Sequence, residues 1–159
     1  MLTAFNEVYV RHDSDECRFL DIGSGLGNVF VALAVAHRTD VLSGQLSLHG
    51  VEINQELAEL SKRVLGPADV RIGPNVECAD CLDFSIGSYD IIHHYGPFKD
   101  KGLQERLDRK IMDEMHPGAF LLSRLREDAS IFSRTDFVQI PVNNSADYHV
   151  FRKFPSTRP

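Results

Sequence analysis

Strand and helix signals alternate along the chain, and such alternation predicts an α/β fold, an open, doubly wound and mostly parallel sheet with helices on both faces. Two further observations sharpen that expectation. A glycine-rich turn joins a strand pattern to a helix pattern in FLDIGSGLGNVF, Phe19 to Phe30, and the chain closes on two strand-like runs that read as an antiparallel hairpin. Ligands of such sheets bind beyond the carboxyl ends of the central strands, where the glycine turn lies.

RFLDIG (18–23) is a short apolar run of the kind a buried strand needs, and NVFVALAVAH after the glycines is long enough for a helix. RTDVLSGQLS (38–47) is longer than a usual connection and reads as a surface excursion. LHGVEI (48–53) is a second strand; Asn54 caps a helix carrying Leu57, Leu60 and Val64 at helical spacing until Gly66-Pro67. NVECAD (75–80) and YDIIHHY (89–95) are the third and fourth strands, joined by CLDFSIGS, too short for a crossover helix. Leu103, Leu107, Ile111 and Met115 recur every four residues on an amphipathic helix that stops at HPG before the strand AFLLSRL. DFVQIPV and YHVFRKF then flank the turn-rich NNSAD. Leu2, Phe5 and Tyr9 are placed to face inward from a short leading segment.

A chain of 159 residues, 43% hydrophobic, suits one domain over 1–159. The net charge of -6 comes from 17 basic and 23 acidic residues without a basic run, so nucleic acid is not an expected partner. No apolar stretch approaches the roughly 20 residues of a membrane span, and the start lacks a secretory pattern, which predicts a cytoplasmic protein without membrane association. The odd set Cys17, Cys78 and Cys81 fits a reducing compartment. Cys78 and Cys81 form a C-x-x-C without a second ligand pair, so they read as small strand-end residues and no metal is expected. Asn143 to Ser145 matches a glycosylation acceptor but reads as a hairpin turn.

Glycines at the first turn let backbone approach a ligand and take positive φ without steric cost. Asp21 before them would repel a pyrophosphate and favour a cationic ligand such as S-adenosylmethionine, with its sulfonium and ammonium. The dinucleotide fingerprint fails, because Asn28 stands where its last glycine belongs. Glu52, ending the second strand, can accept from two ribose hydroxyls of either NAD or S-adenosylmethionine. Asp80 can accept from an adenine amino group, with Cys81 close to the same ring; a loop-capping role for Asp80 fits equally.

FLDIGSGLG, GVEI, ECADCLDF, YDIIHHYGPF and MHPGAFLL resemble, in order and spacing, the class I S-adenosylmethionine-dependent methyltransferases over essentially the whole chain. The resemblance implies a seven-stranded sheet with an antiparallel last pair. It also implies a cofactor site formed by Asp21, Gly23, Ser24, Gly25 and Gly27 at the methionine part, Glu52 and Ile53 at the ribose, and Asp80 and Cys81 at adenine.

Methyl transfer is an in-line displacement in which the enzyme holds the acceptor and, for weak nucleophiles, removes a proton. His94 and Tyr95, in HHYGPF (93–98), are the catalytic candidates; strand alternation sends His93 and His94 to opposite faces, and an equal reading packs one of them against a covering helix while the other meets the cofactor through its backbone. Phe98 is a candidate wall. Amino-group methyltransferases of nucleic acids carry an Asn or Asp where Tyr95 stands, so the expected acceptor is a small molecule or a protein side chain. The first strand and GVEI also look like seven-stranded histone-lysine methyltransferases without a SET domain, which keeps a protein lysine in view. With no substrate domain evident, the acceptor site is expected to be shallow, built by a partner chain or second copy, or covered by the short leading segment that carries Leu2, Phe5 and Tyr9. Two alternatives accompany this reading, a non-catalytic S-adenosylmethionine-binding subunit and an NAD-dependent oxidoreductase.

Overall fold

The structure, a computed structural model, describes residues 1–12, 14–65, 75–124, 134–142 and 148–155. Its centre is β1 (Cys17–Ile22), whose run CRFLDI is buried at all but one position, as a parallel strand covered on both faces requires. Parallel neighbours flank it, β2 (Leu46–Glu52) on one side and β4 (Ile91–His94) on the other. β3 (Asn75–Cys78) extends the sheet beyond β2, and β5 (Phe120–Ser123) extends it beyond β4. β6 (Phe137–Ile140) and β7 (His149–Lys153) pair antiparallel, and β7 lies antiparallel to β5. The seven strands run in the order β3-β2-β1-β4-β5-β7-β6. Strand order reverses between β1 and β4, which opens a crevice at their carboxyl ends.

Successive side chains of the central strands feed two cores. Phe19, Ile91, Phe120 and Leu122 enter the first, where α1 (Leu2–Tyr9) brings Phe5 and α2 (Asn28–Ala36) brings Phe30 and Leu33. Leu20, Ile92 and Leu121 enter the second, against Leu107 and Ile111 of α5 (Lys101–Glu114). The period of two is what allows one strand to serve both layers. α4 (Gln55–Leu65) starts where expected, with Leu57 N–H donating to Asn54 Oδ1 at 3.1 Å. Asp100 caps α5 in the same way, accepting from Leu103 N–H at 2.9 Å. Between β3 and β4 the chain makes turns without a helix, and Ile86 and Tyr89 fill the core where a helix would otherwise pack.

The segment expected to wander over the surface instead forms α3 (Arg38–Ser43). Val41, 6% exposed, anchors it on the first core, and Gly44 at φ 82° ends it, so one apolar residue suffices to dock a helix too short for a visible period. Of the three leading residues expected to face inward, Phe5 is fully buried, meeting Phe19 edge to face at 5.6 Å, and Leu2 lies at the surface. The turns at Gly66-Pro67 and at Asn143 to Ser145 lie outside the described residues. Among the described residues no helix is long and apolar enough to cross a membrane.

Candidate functional site

The loop after β1 is shaped by Gly23, Gly25 and Gly27, at φ 73°, 54° and 79°, a region side chains rarely adopt. Space matters as well at Gly23, where a Cβ would stand 3.1 Å from Pro97 Cβ. The N–H groups of Gly23 and Ser24 both donate to the Val51 carbonyl, at 2.9 and 3.2 Å, tying the loop to the end of β2. Glu52 completes the tie. Its Oε2 accepts from Gly25 N–H and its Oε1 from Asn54 N–H, each at 2.9 Å. A carboxylate oxygen has a further lone pair, so Glu52 can still accept once at each oxygen.

Beside this tie is a cavity of about 180 Å³. Gly23, Glu52, Ile53, Asp80 and Cys81, named from the sequence, line it together with Pro97 and Phe98, and Val51 and Ala79 complete the lining. Asp80 is both a wall and a cap, since its Oδ1 accepts from Leu82 N–H at 2.9 Å. Burial, and then the Asp80 charge, push the Cys81 thiol up to about 11, so it stays protonated at neutral pH. All three cysteines are unpaired.

Asp21, Ser24, Gly25 and Gly27 shape the loop without lining this cavity. Asp21, 4% exposed, accepts from His93 Nδ1 at 2.7 Å. The other ring nitrogen of His93 meets Tyr148 Oη at 3.3 Å. Tyr148 stacks on His93 with centroids 5.6 Å apart, and Tyr95 leans on Tyr148 at 5.9 Å. A line of polar contacts, Asp21 to His93 to Tyr148, thus runs across the carboxyl edge. His93 lies in HHYGPF, but nothing in that run signals this pairing, and Tyr148 lies outside every motif. The register that sets Asp21 opposite His93 is a tertiary fact.

The two catalytic candidates lie in different surroundings. Tyr95 is half-exposed, and Arg124 both donates to its hydroxyl and lies over its ring at 5.0 Å. His94 is fully buried against α5. Gly96 N–H donates to its Nδ1 at 3.3 Å, leaving Nε2–H to donate to Ser123 Oγ at 2.9 Å, with Asp108 at 3.7 Å. Burial, with the charge of His93 second, drives its pKa down to about 3, so the ring is neutral. With no exposed surface, it does not reach the cleft in this conformation.

No protein-family model matches the chain. No curated protein matches it either. Solved structures do. An RNA methyltransferase from Salinibacter ruber, in complex with S-adenosyl-L-homocysteine, superposes with a TM-score of 0.60 at 17% identity, over 97% of this chain and 92% of that one. A point mutant of MtNAS in complex with S-adenosylmethionine gives 0.63 at 19% identity, over 94% of this chain and 60% of that one. PKMT2 from Rickettsia typhi, in complex with S-adenosylhomocysteine, gives 0.54 at 21% identity, over 69% of this chain. The match spans only 21% of PKMT2, so this chain corresponds to a small part of that protein. Strand order, the antiparallel last pair and these superpositions together show that the chain has the class I S-adenosylmethionine-dependent methyltransferase fold.

Proposed function

We propose that residues 1–159 form one domain that transfers a methyl group from S-adenosylmethionine to a small molecule or a protein side chain. The observation that carries this reading is the cavity at the strand-order reversal, where Glu52 and Asp80 face a glycine turn that a Cβ at Gly23 would obstruct. The cofactor supplies an electrophilic methyl on a sulfonium. The residues present fit it: Glu52 keeps one lone pair per oxygen for the two ribose hydroxyls, and Asp80 keeps Oδ2 for the adenine amino group. Ile53, Ala79, Pro97 and Phe98 provide apolar walls for a flat ring. Gly25 and Gly27 with Ser24 hold the turn open for the methionine part, and buried Asp21 adds negative charge near a cationic ligand. The complexes of the structural neighbours with S-adenosylmethionine and its product support the same cofactor.

On the acceptor side, half-exposed Tyr95 positions the incoming group, its hydroxyl held by Arg124. His94 acts from beneath as a positioning residue: its neutral ring receives Gly96 N–H and so sets the start of the loop that carries Pro97 and Phe98. A partner chain or second copy supplies the rest of the acceptor pocket. The unpaired cysteines accord with a cytoplasmic location.

Calorimetric titration with S-adenosylmethionine, S-adenosylhomocysteine and NAD tests the reading. Micromolar binding of the first two and none of NAD is expected. Binding of NAD alone would replace the proposal with an oxidoreductase, and cofactor binding without turnover across acceptor classes would reduce it to a binding subunit.

A further inference from the structure

At the opposite edge of the sheet, where β1 and β4 begin, three potential metal ligands, His12, Cys17 and Asp90, meet beside His116. His12 follows α1, Cys17 opens β1, Asp90 precedes β4 and His116 lies in the turn between α5 and β5. The ligand atoms of His12, Cys17 and Asp90 lie within 4.8 Å of one another. His12 Nε2 and His116 Nε2 each stand 3.3 Å from the same oxygen, Asp90 Oδ1. The other oxygen, Oδ2, is already engaged by Arg18 N–H at 2.7 Å, which fixes the carboxylate. A cavity of about 240 Å³, lined among others by His12, Asp90 and His116, opens at this point.

The spacing of this cluster suits a bound cation. Charge-assisted hydrogen bonds close to about 2.7–2.9 Å, whereas two nitrogen or oxygen ligands of a tetrahedral ion, each about 2.0 Å from it, stand about 3.3 Å apart. His12 Nε2 and Asp90 Oδ1 have that separation, with Cys17 Sγ beside them.

We propose that His12 Nε2, Cys17 Sγ and Asp90 Oδ1 form a three-ligand site for a divalent transition-metal ion of the zinc type, with the fourth position left open. Mixed nitrogen, sulfur and oxygen donors select such an ion over calcium or magnesium. The three ligands tie the connection between α1 and β1 to the one that precedes β4. It stands about 20 Å along β1 from the glycine turn. Burial, and then the Asp90 charge, hold the Cys17 thiol up at about 12, so metal binding displaces a proton there.

Cobalt(II) titration of the chelator-treated full chain tests the proposal. One ion per chain is expected, with a thiolate-to-cobalt charge-transfer band and intense tetrahedral visible bands that zinc(II) bleaches. The competing ligand pair, Cys78 and Cys81, is removed in the control Cys78→Ser/Cys81→Ser, which should keep the bands. Cys17→Ser should lose the charge-transfer band. Because Cys17 is buried, His12→Ala provides the second variant, and cobalt affinity should fall roughly tenfold or more. Absence of the bands in the unsubstituted chain, their loss with Cys78 and Cys81, or unchanged affinity in His12→Ala would each overturn the site.

Discussion

The two edges of the sheet are built differently. At the carboxyl edge each contribution is a short run immediately after a strand: Asp21 to Gly27, Glu52-Ile53, Asp80-Cys81 and Tyr95 to Phe98. At the amino edge each contribution is a lone residue, His12, Cys17, Asp90 or His116, gathered from three separate connections. A parallel sheet gathers all its strand ends at two edges, but only one edge here needs glycines and acids next to one another. Local backbone demands therefore leave a motif at the carboxyl edge, while convergence of single side chains at the amino edge leaves none.

Substitution can break this contrast. Glu52→Ala should weaken S-adenosylmethionine by about 1.5–3 kcal/mol, the worth of charge-assisted hydrogen bonds, and leave cobalt binding at the amino edge unchanged. Calorimetry of both ligands on one sample checks it. Loss of both would mean that the edges are mechanically coupled through β1.

Acid sharpens the contrast from beneath the carboxyl edge. His94 protonates in the unfolded chain below pH 6.5 but in the folded one only near 3, so the unfolded state binds more protons in that window and stability falls as pH falls. By pH 5 the loss should reach about 2 kcal/mol, and His94→Gln should remove this slope. Denaturant unfolding at several pH values, with chelator present so that metal linkage at the amino edge does not contribute, measures it. A wild-type slope equal to that of the variant would contradict the buried neutral ring.

The helix caps give a smaller effect. Asn54→Ala and Asp100→Ala should each cost about 1 kcal/mol of stability. The N–H that holds Glu52 belongs to the Asn54 backbone and survives Asn54→Ala, so cofactor affinity should be unchanged in both variants. A fall in affinity in Asn54→Ala alone would show that the cap also fixes that backbone against Glu52. Tyr95→Phe should likewise bind S-adenosylmethionine as before and turn over more slowly once an acceptor is known. Parallel loss of binding would assign Tyr95 to the scaffold.

The alternation of elements, the glycine turn, the caps at Asn54 and the amphipathic stripe of α5 were all legible because each follows from backbone geometry or from a period within one segment. The α3 helix was not, because its single anchor, Val41, makes no pattern until a core exists to receive it. Nor was the division of labour between His93 and His94. Alternation alone sends neighbours to opposite faces, yet only packing decides that one meets Asp21 and Tyr148 while the other is enclosed by Ser123 and α5.

By itself, then, the sequence determined the α/β class, the position of the glycine turn and the acids that end the strands, since these depend on φ, on strand period and on residues adjacent in the chain. Tertiary structure alone decided that Asp21 pairs with His93, that His94 is sealed from the cleft, and that His12, Cys17, Asp90 and His116 share one corner. Those outcomes depend on strand register and on how separate connections meet, which no local run of residues encodes.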